Sequence, residues 1–239
     1  MACGEHGVLD QTIAHRLQDI KTAILQAELA SNRPAGDVQL LAVSKKQPIA
    51  AIEQAYSAGQ RAFGESYVQE ALLKIKSLAA LPIHWHFIGP IQSNKTNVIA
   101  EHFAWVHSVC RQKIAQQLHD ARPNHLPALN ICLQVNLDDE PSKSGLAVEL
   151  IAELARYVLQ LPRLHLRGLM IIPKLQDDPQ QQYLAFLRLT HLLHALNQQL
   201  NINMDTLSMG MSDDMQAAIR AGSTIVRIGT AIFGVRSLP

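Results

Sequence analysis

Leu40-Leu41-Ala42-Val43-Ser44-Lys45 is the stretch on which the reading of the chain turns. Four consecutive apolar residues predict a short buried strand. The run ends on a lysine, and Lys46-Gln47-Pro48 lead into a helical pattern from Ile49. A lysine at the carboxyl end of a buried strand has two uses. It can turn outward and solvate, as most lysines do. It can also stay desolvated, which favours the neutral amine, a nucleophile toward carbonyl carbon.

Working outward, the same alternation repeats. Ahead of the strand, Leu9, Ile13, Leu17, Ile20, Ile24 and Leu25 recur at helical spacing, so a first helix is expected over about residues 8–31. After it, strands are predicted at 61–65, 84–88, 105–109, 129–136, 164–172, 206–209 and 224–228. Helices are predicted between them at 48–58, 67–78, 94–102, 111–120, 147–160, 179–200 and 213–221. A helical or irregular tail follows from Gly229. Eight strands alternating with helices predict an α/β chain with a parallel sheet. Eight such units in 239 residues point to one closed (β/α)8 barrel domain over residues 1–239, preceded by an extra helix. An open doubly wound sheet is the alternative, and no linker or second domain is expected.

Composition narrows the function. Hydrophobic residues make up 48% and charged residues 17%, enough for a sizeable core, and the formal net charge is +1. So small a charge gives no support for nucleic acid or an anionic membrane surface as partner. Cys3, Cys110 and Cys132 are too few and too scattered for a disulfide framework or a structural zinc site. No signal peptide or membrane-spanning run is evident, so a cytoplasmic location is expected.

In a barrel, the residues just after each strand form one ring, where ligands bind. Here that ring reads Lys45, Glu65-Ser66, Gly89-Pro90-Ile91-Gln92, Asn136 with Ser142-Lys143-Ser144-Gly145, Met170, Ser208-Met209-Gly210-Met211-Ser212, and Arg227-Ile228-Gly229-Thr230. The set is polar, basic and glycine-bearing, which suits an anionic small molecule. Met209-Gly210-Met211-Ser212 precedes a helix, and Gly229-Thr230 repeats the arrangement after the last strand. A glycine admits close backbone approach, and a helix start offers unpaired N–H donors to phosphate. Alternatively, Ser212-Asp213-Asp214 is only a helix cap. A lysine beside a phosphate site suits pyridoxal 5′-phosphate, which carries an aldehyde and a phosphate on one ring. Arg227, inside that loop, is placed either to face the ring nitrogen or to form an internal ion pair.

His84, His86 and His107 suggest a rival. Two histidines on one strand face, with a third on the next strand, fit a metal-dependent hydrolase. Without an acidic ligand at neighbouring strand ends, packing histidines are the simpler expectation.

Several motifs together resemble one family. They are Ala42-Val43-Ser44-Lys45, Phe63-Gly64-Glu65, His84 to Lys95, Ser142 to Gly145, Arg167-Gly168-Leu169-Met170, Leu207 to Asp214 and Val226 to Gly234. Over about residues 8–234 the chain resembles the pyridoxal phosphate homeostasis proteins, which are similar to the barrel domain of bacterial alanine racemase, a type III pyridoxal phosphate fold. The resemblance implies Lys45 as the Schiff-base lysine and Arg227 at the ring nitrogen. It implies Ser208, Met209, Gly210, Gly229 and Thr230 around the phosphate, with Ser212 beside them. Ser66 stands where the family usually has an asparagine near the ring oxygen. The resemblance further implies a cofactor carrier that balances vitamin B6 and amino-acid pools, with apo-enzymes requiring the cofactor as partners. The alternative is a racemase-like enzyme. Racemisation needs acid/base groups on both faces of the substrate carbon. Tyr56, Tyr67, Tyr157 and Tyr183 are all predicted on helices, so only His86 or Lys143 remains as a second base. A monomeric binding protein with little or no catalysis is expected.

Overall fold

Strand β1 (Gln39–Val43) pairs in parallel with β2 (Ala62–Glu65) on one side and with the last strand, Ile225–Ile228, on the other. First and last strands meeting as neighbours is what closure requires. The computed structural model describes residues 12–137, 144–174 and 178–234. In chain order the remaining strands are β3 (His84–Phe87), β4 (Trp105–Val109), β5 (Leu129–Asn136), a two-residue β6 (Leu146–Ala147), β7 (Leu164–Met170) and β8 (Thr206–Ser208), so the last is β9. Parallel pairs run β1-β2-β3-β4-β5-β7-β8-β9 and back to β1. The barrel therefore has eight strands, and the open-sheet alternative falls. β6, which the sequence pattern does not show, pairs with the end of β5 outside the ring.

The helices are α1 (Ile13–Ala30), α2 (Ile49–Ser57), α3 (Val68–Ser77), α4 (Thr96–His102), α5 (Gln112–Ala121), α6 (Val148–Val158), α7 (Pro179–Leu200), α8 (Met215–Arg220) and α9 (Thr230–Phe233). Thr12 caps α1 by accepting from the His15 N–H. Ile13, Leu17 and Ile24 bury its inner face, but Leu25, expected there, is exposed. Arg16 and Arg33 tie this helix and the turn after it to the end of the barrel chain, through the carbonyls of Ile232, Ile219 and Ser223. Several elements are shorter than expected, β7 and α8 among them. β7 stops at Met170, ahead of Pro173, which restricts the residue before it. α8 starts at Met215 because the Asp214 carboxylate is spent on the Met211 N–H at 2.5 Å, folding 211–214 into a turn.

Strand alternation sorts side chains between two cores. Leu40, Ala42, Trp85, Phe87, Val106, Leu207, Val226 and Ile228 face outward into the large core shared with the helices, including Ile52, Ile114, Leu118, Phe186 and Leu189. Leu41, Ala62 and Ile225 form a small cluster of their own with Ile88 and Trp105 inside the barrel. By the same alternation His86, His107, Ser208 and Arg227 also point inward. A barrel interior is ordinarily filled by bulky apolar side chains. This one is polar along one side.

Candidate functional site

Lys45 does not lie on β1. The strand ends at Val43, and Ser44 extends it by one bond to the Gly64 carbonyl. Lys45 then occupies a tight turn closed by the Gln47 N–H on the Ser44 carbonyl at 3.0 Å. Lys46 takes the third position of that turn with φ +59°. Such a turn normally wants glycine or asparagine there. The Lys46 N–H is held at 2.6 Å by the Glu70 carboxylate, which compensates.

Beneath the turn lies a buried ionic cluster. Lys74 Nζ donates to the Ser44 carbonyl at 2.7 Å, to Glu65 Oε1 at 2.8 Å and to Glu70 Oε1 at 2.5 Å. Ser44 Oγ donates to the same Glu65 oxygen at 2.6 Å. Glu65 is fully buried, and its Oε2 has no partner. Burial raises its pKa, only partly opposed by Lys74. Two neighbouring strand ends are thus tied together under Lys45.

The turn opens onto a cavity of about 510 Å³ at the carboxyl ends of the strands. Lys45, Ser66, Ser212, Arg227, Gly229 and Thr230 all line it, with Val43, Ile88, Ile172, Met211, Asp213 and Ala231. Six of the nine expected site residues therefore share one wall. Ser208, Met209 and Gly210 lie behind it, buried. The Met209 N–H is taken by the Ile225 carbonyl. Gly210 has φ +98°, and a Cβ there would come within 2.6 Å of Ala218, so only glycine fits that bend. Its carbonyl accepts from the Arg227 N–H at 2.9 Å, which locks the loop to β9. At the other loop, the N–H groups of Thr230 and Ala231 open α9 and have no acceptor one turn back.

Arg227 is buried, yet among the described residues no carboxylate lies within ion-pair distance. The internal ion pair considered for it does not form. It donates instead to the Ser208 carbonyl and Oγ at 2.5 and 2.8 Å and to the Ile171 carbonyl at 2.8 Å. Burial pushes its pKa down to about 10, with Asp214 acting against the shift. A buried cation without a counter-ion is costly unless a ligand completes it.

The histidines do not make a metal centre. His84 is exposed at the start of β3. His86 and His107 are fully buried and bond to each other at 3.0 Å, well below the rim, so His86 is no candidate base at the cavity. No three His, Cys, Asp or Glu among the described residues are grouped to hold a metal ion. Lys143 and Ser142 lie outside the described residues. Tyr67, expected within a helix, instead precedes α3, exposed and next to Ser66.

The model of the alanine racemase N-terminal domain matches residues 14–237. The pyridoxal phosphate homeostasis protein of Pseudomonas aeruginosa is 56% identical over 225 residues, covering 94% of this chain and 96% of that one. The chain belongs to the pyridoxal phosphate homeostasis protein family. Among solved structures, PipY of Synechococcus elongatus with pyridoxal phosphate bound superposes with a TM-score of 0.82 at 38% identity, covering 93% of this chain and all of that one. Alanine racemase from Corynebacterium glutamicum matches with a TM-score of 0.69 at 16% identity, over 94% of this chain and 60% of the enzyme, which is a likeness of fold. No helix among the described residues is long and apolar enough to cross a membrane.

Proposed function

We propose that this chain binds pyridoxal 5′-phosphate at the barrel mouth and serves vitamin B6 homeostasis as a carrier, with little or no catalysis of its own. The observation that carries the reading is that an amine, Lys45, and an unpaired buried cation, Arg227, line one cavity. The relatives' name and the cofactor in the PipY structure point the same way. The donor set fits the group. Gly229, Thr230 and Ser212 supply backbone approach and hydroxyls for a phosphate, and a cavity of about 510 Å³ has room for one substituted pyridine. Lys45 would hold the group through its amine, which can condense with an aldehyde with loss of water, and the group when bound would supply an electron-accepting ring.

Each protein group has a distinct task. The Ser44–Gln47 turn presents the amine, and the Lys74 cluster fixes that turn. Arg227, as a fixed cation, would keep a ring nitrogen placed against it unprotonated and so weaken the ring as an electron sink. Ser66 is shorter than asparagine and would need a bridging water to reach a ring oxygen. Asp213 on the same wall repels an anion, so the phosphate belongs on the Gly229–Thr230 side. A second base for racemisation is not provided by His86, which is sealed in the core. The experiment is a spectrum of the purified protein with pyridoxal phosphate, before and after borohydride. The expected result is an imine band that borohydride abolishes and that Lys45→Ala lacks. A reducible chromophore of equal strength in Lys45→Ala refutes the assignment, and steady turnover of alanine enantiomers refutes the carrier role.

A further inference from the structure

Inside the barrel, Arg227, Ser208, His107 and His86 form a continuous file. Arg227 Nη1 donates to Ser208 Oγ at 2.8 Å, Ser208 Oγ meets His107 Nδ1 at 2.7 Å, and His107 Nε2 meets His86 Nδ1 at 3.0 Å. His86 stacks on Trp105 at 5.5 Å between ring centres, and its Nε2 has no partner among the described residues. None of these groups except Arg227 reaches the cavity.

The donors fix the direction of the file. A guanidinium only donates, so Ser208 Oγ accepts from Arg227 and keeps its own proton to give away. That proton has one acceptor, His107 Nδ1. His107 then carries its proton on Nε2 and donates to His86 Nδ1, and His86 carries its proton on Nε2. The opposite direction leaves the Ser208 hydroxyl proton without an acceptor as well as His86 Nε2 unsatisfied. Two buried orphans cost more than one, each on the order of 1–3 kcal/mol. The same chain of bonds takes three of the five Arg227 donors, counting the two carbonyls, and leaves two for an occupant of the cavity.

We propose that Ser208 and His107 are positioning residues for Arg227: a one-way file of hydrogen bonds through the barrel interior holds the guanidinium at the angle at which it meets the bound ring. This rests on the cofactor-binding reading above. It gives Ser208 a task other than contact with phosphate.

Two measurements test it. In protein labelled with ¹⁵N-histidine and free of cofactor, the ring nitrogens of His86 and His107 are expected as neutral Nε2–H tautomers. An Nδ1–H tautomer or an imidazolium at either ring overturns the file. The second measurement is the release rate of pyridoxal phosphate in a double-mutant cycle. Ser208→Ala and His107→Phe are expected to speed release about tenfold, and less than twofold when Arg227→Gln is already present. His86→Phe, which unsettles the same core but leaves the Arg227–Ser208–His107 bonds in place, is expected to change release less than twofold. Equal effects in both Arg227 backgrounds, or an effect of His86→Phe as large as that of His107→Phe, overturn the proposal. If the wild type forms no reducible adduct at Lys45, the cofactor reading fails instead, and the tautomers still decide the file.

Discussion

At the residue scale, the presentation of Lys45 depends on its neighbour. Lys46 sits at φ +59°, which a β-branched residue tolerates poorly. Lys46→Val is expected to destabilise the protein by about 1–2 kcal/mol and to slow imine formation. Lys46→Gly relieves the strain but loosens the unfolded chain, so it is expected to fall within about 0.5 kcal/mol of the wild type. Denaturant unfolding of both variants checks this, and equal losses would contradict the strain argument. Ser66→Asn tests another residue of the same cavity. A longer side chain replaces a water-spanned gap with a direct bond, so slower cofactor release is expected, by up to about tenfold. Both residues lie at positions that the sequence marks as strand ends. Lys45, Ser66, Ser212, Arg227, Gly229 and Thr230 were legible because a barrel brings every strand end to one rim. The left-handed Lys46 was not, because its conformation is imposed by Glu70, 24 residues away.

At the scale of elements, the β1–β2–α3 corner is held by the Lys74 cluster. Glu65 keeps its proton to higher pH in the folded protein than when unfolded. The folded state therefore binds more protons over that interval, and the Glu65 contribution to stability falls as pH rises above about 4.5. Glu65→Gln removes the titration, so the variant is expected to gain on the wild type in unfolding free energy between pH 4 and pH 7. A constant gap would mean that folding does not shift the Glu65 pKa. Lys74→Met leaves both Glu65 and Glu70 without their ammonium and is expected to cost about 3–5 kcal/mol. This cluster was illegible in the sequence. Lys74 reads as one more solvated lysine on an amphipathic helix, and only the approach of α3 to the strand ends buries it.

At the scale of the whole molecule, the polar interior makes the barrel acid-sensitive. Burial lowers the pKa of His86 to about 3 and that of His107 well below its ordinary value, with Arg227 adding to the shift for His107. The unfolded chain takes up these protons near pH 6.5 and the folded barrel does not. Stability is thus complete above that pH and is lost as pH falls, by about 1.4 kcal/mol per unit for each ring. Unfolding at pH 7, 6 and 5 is expected to show a shallower decline in His86→Phe than in wild type, and parallel curves would contradict it. The closed eight-stranded architecture followed from the alternation of elements. Its polar lining did not, because an inward histidine on a short strand looks in sequence like a solvent-facing one. The partner that distinguishes them, Ser208, is 101 residues from His107.

Arg227 lines the mouth, and among the described residues no carboxylate lies within ion-pair distance of it. The barrel entrance therefore carries Lys45 and Arg227 against the single carboxylate of Asp213, so a compact anion is drawn to the Gly229–Thr230 side, where the phosphate of the cofactor is proposed to sit. Added inorganic phosphate should therefore slow uptake of the vitamer in proportion to its concentration, and the unphosphorylated aldehyde should be a poor competitor.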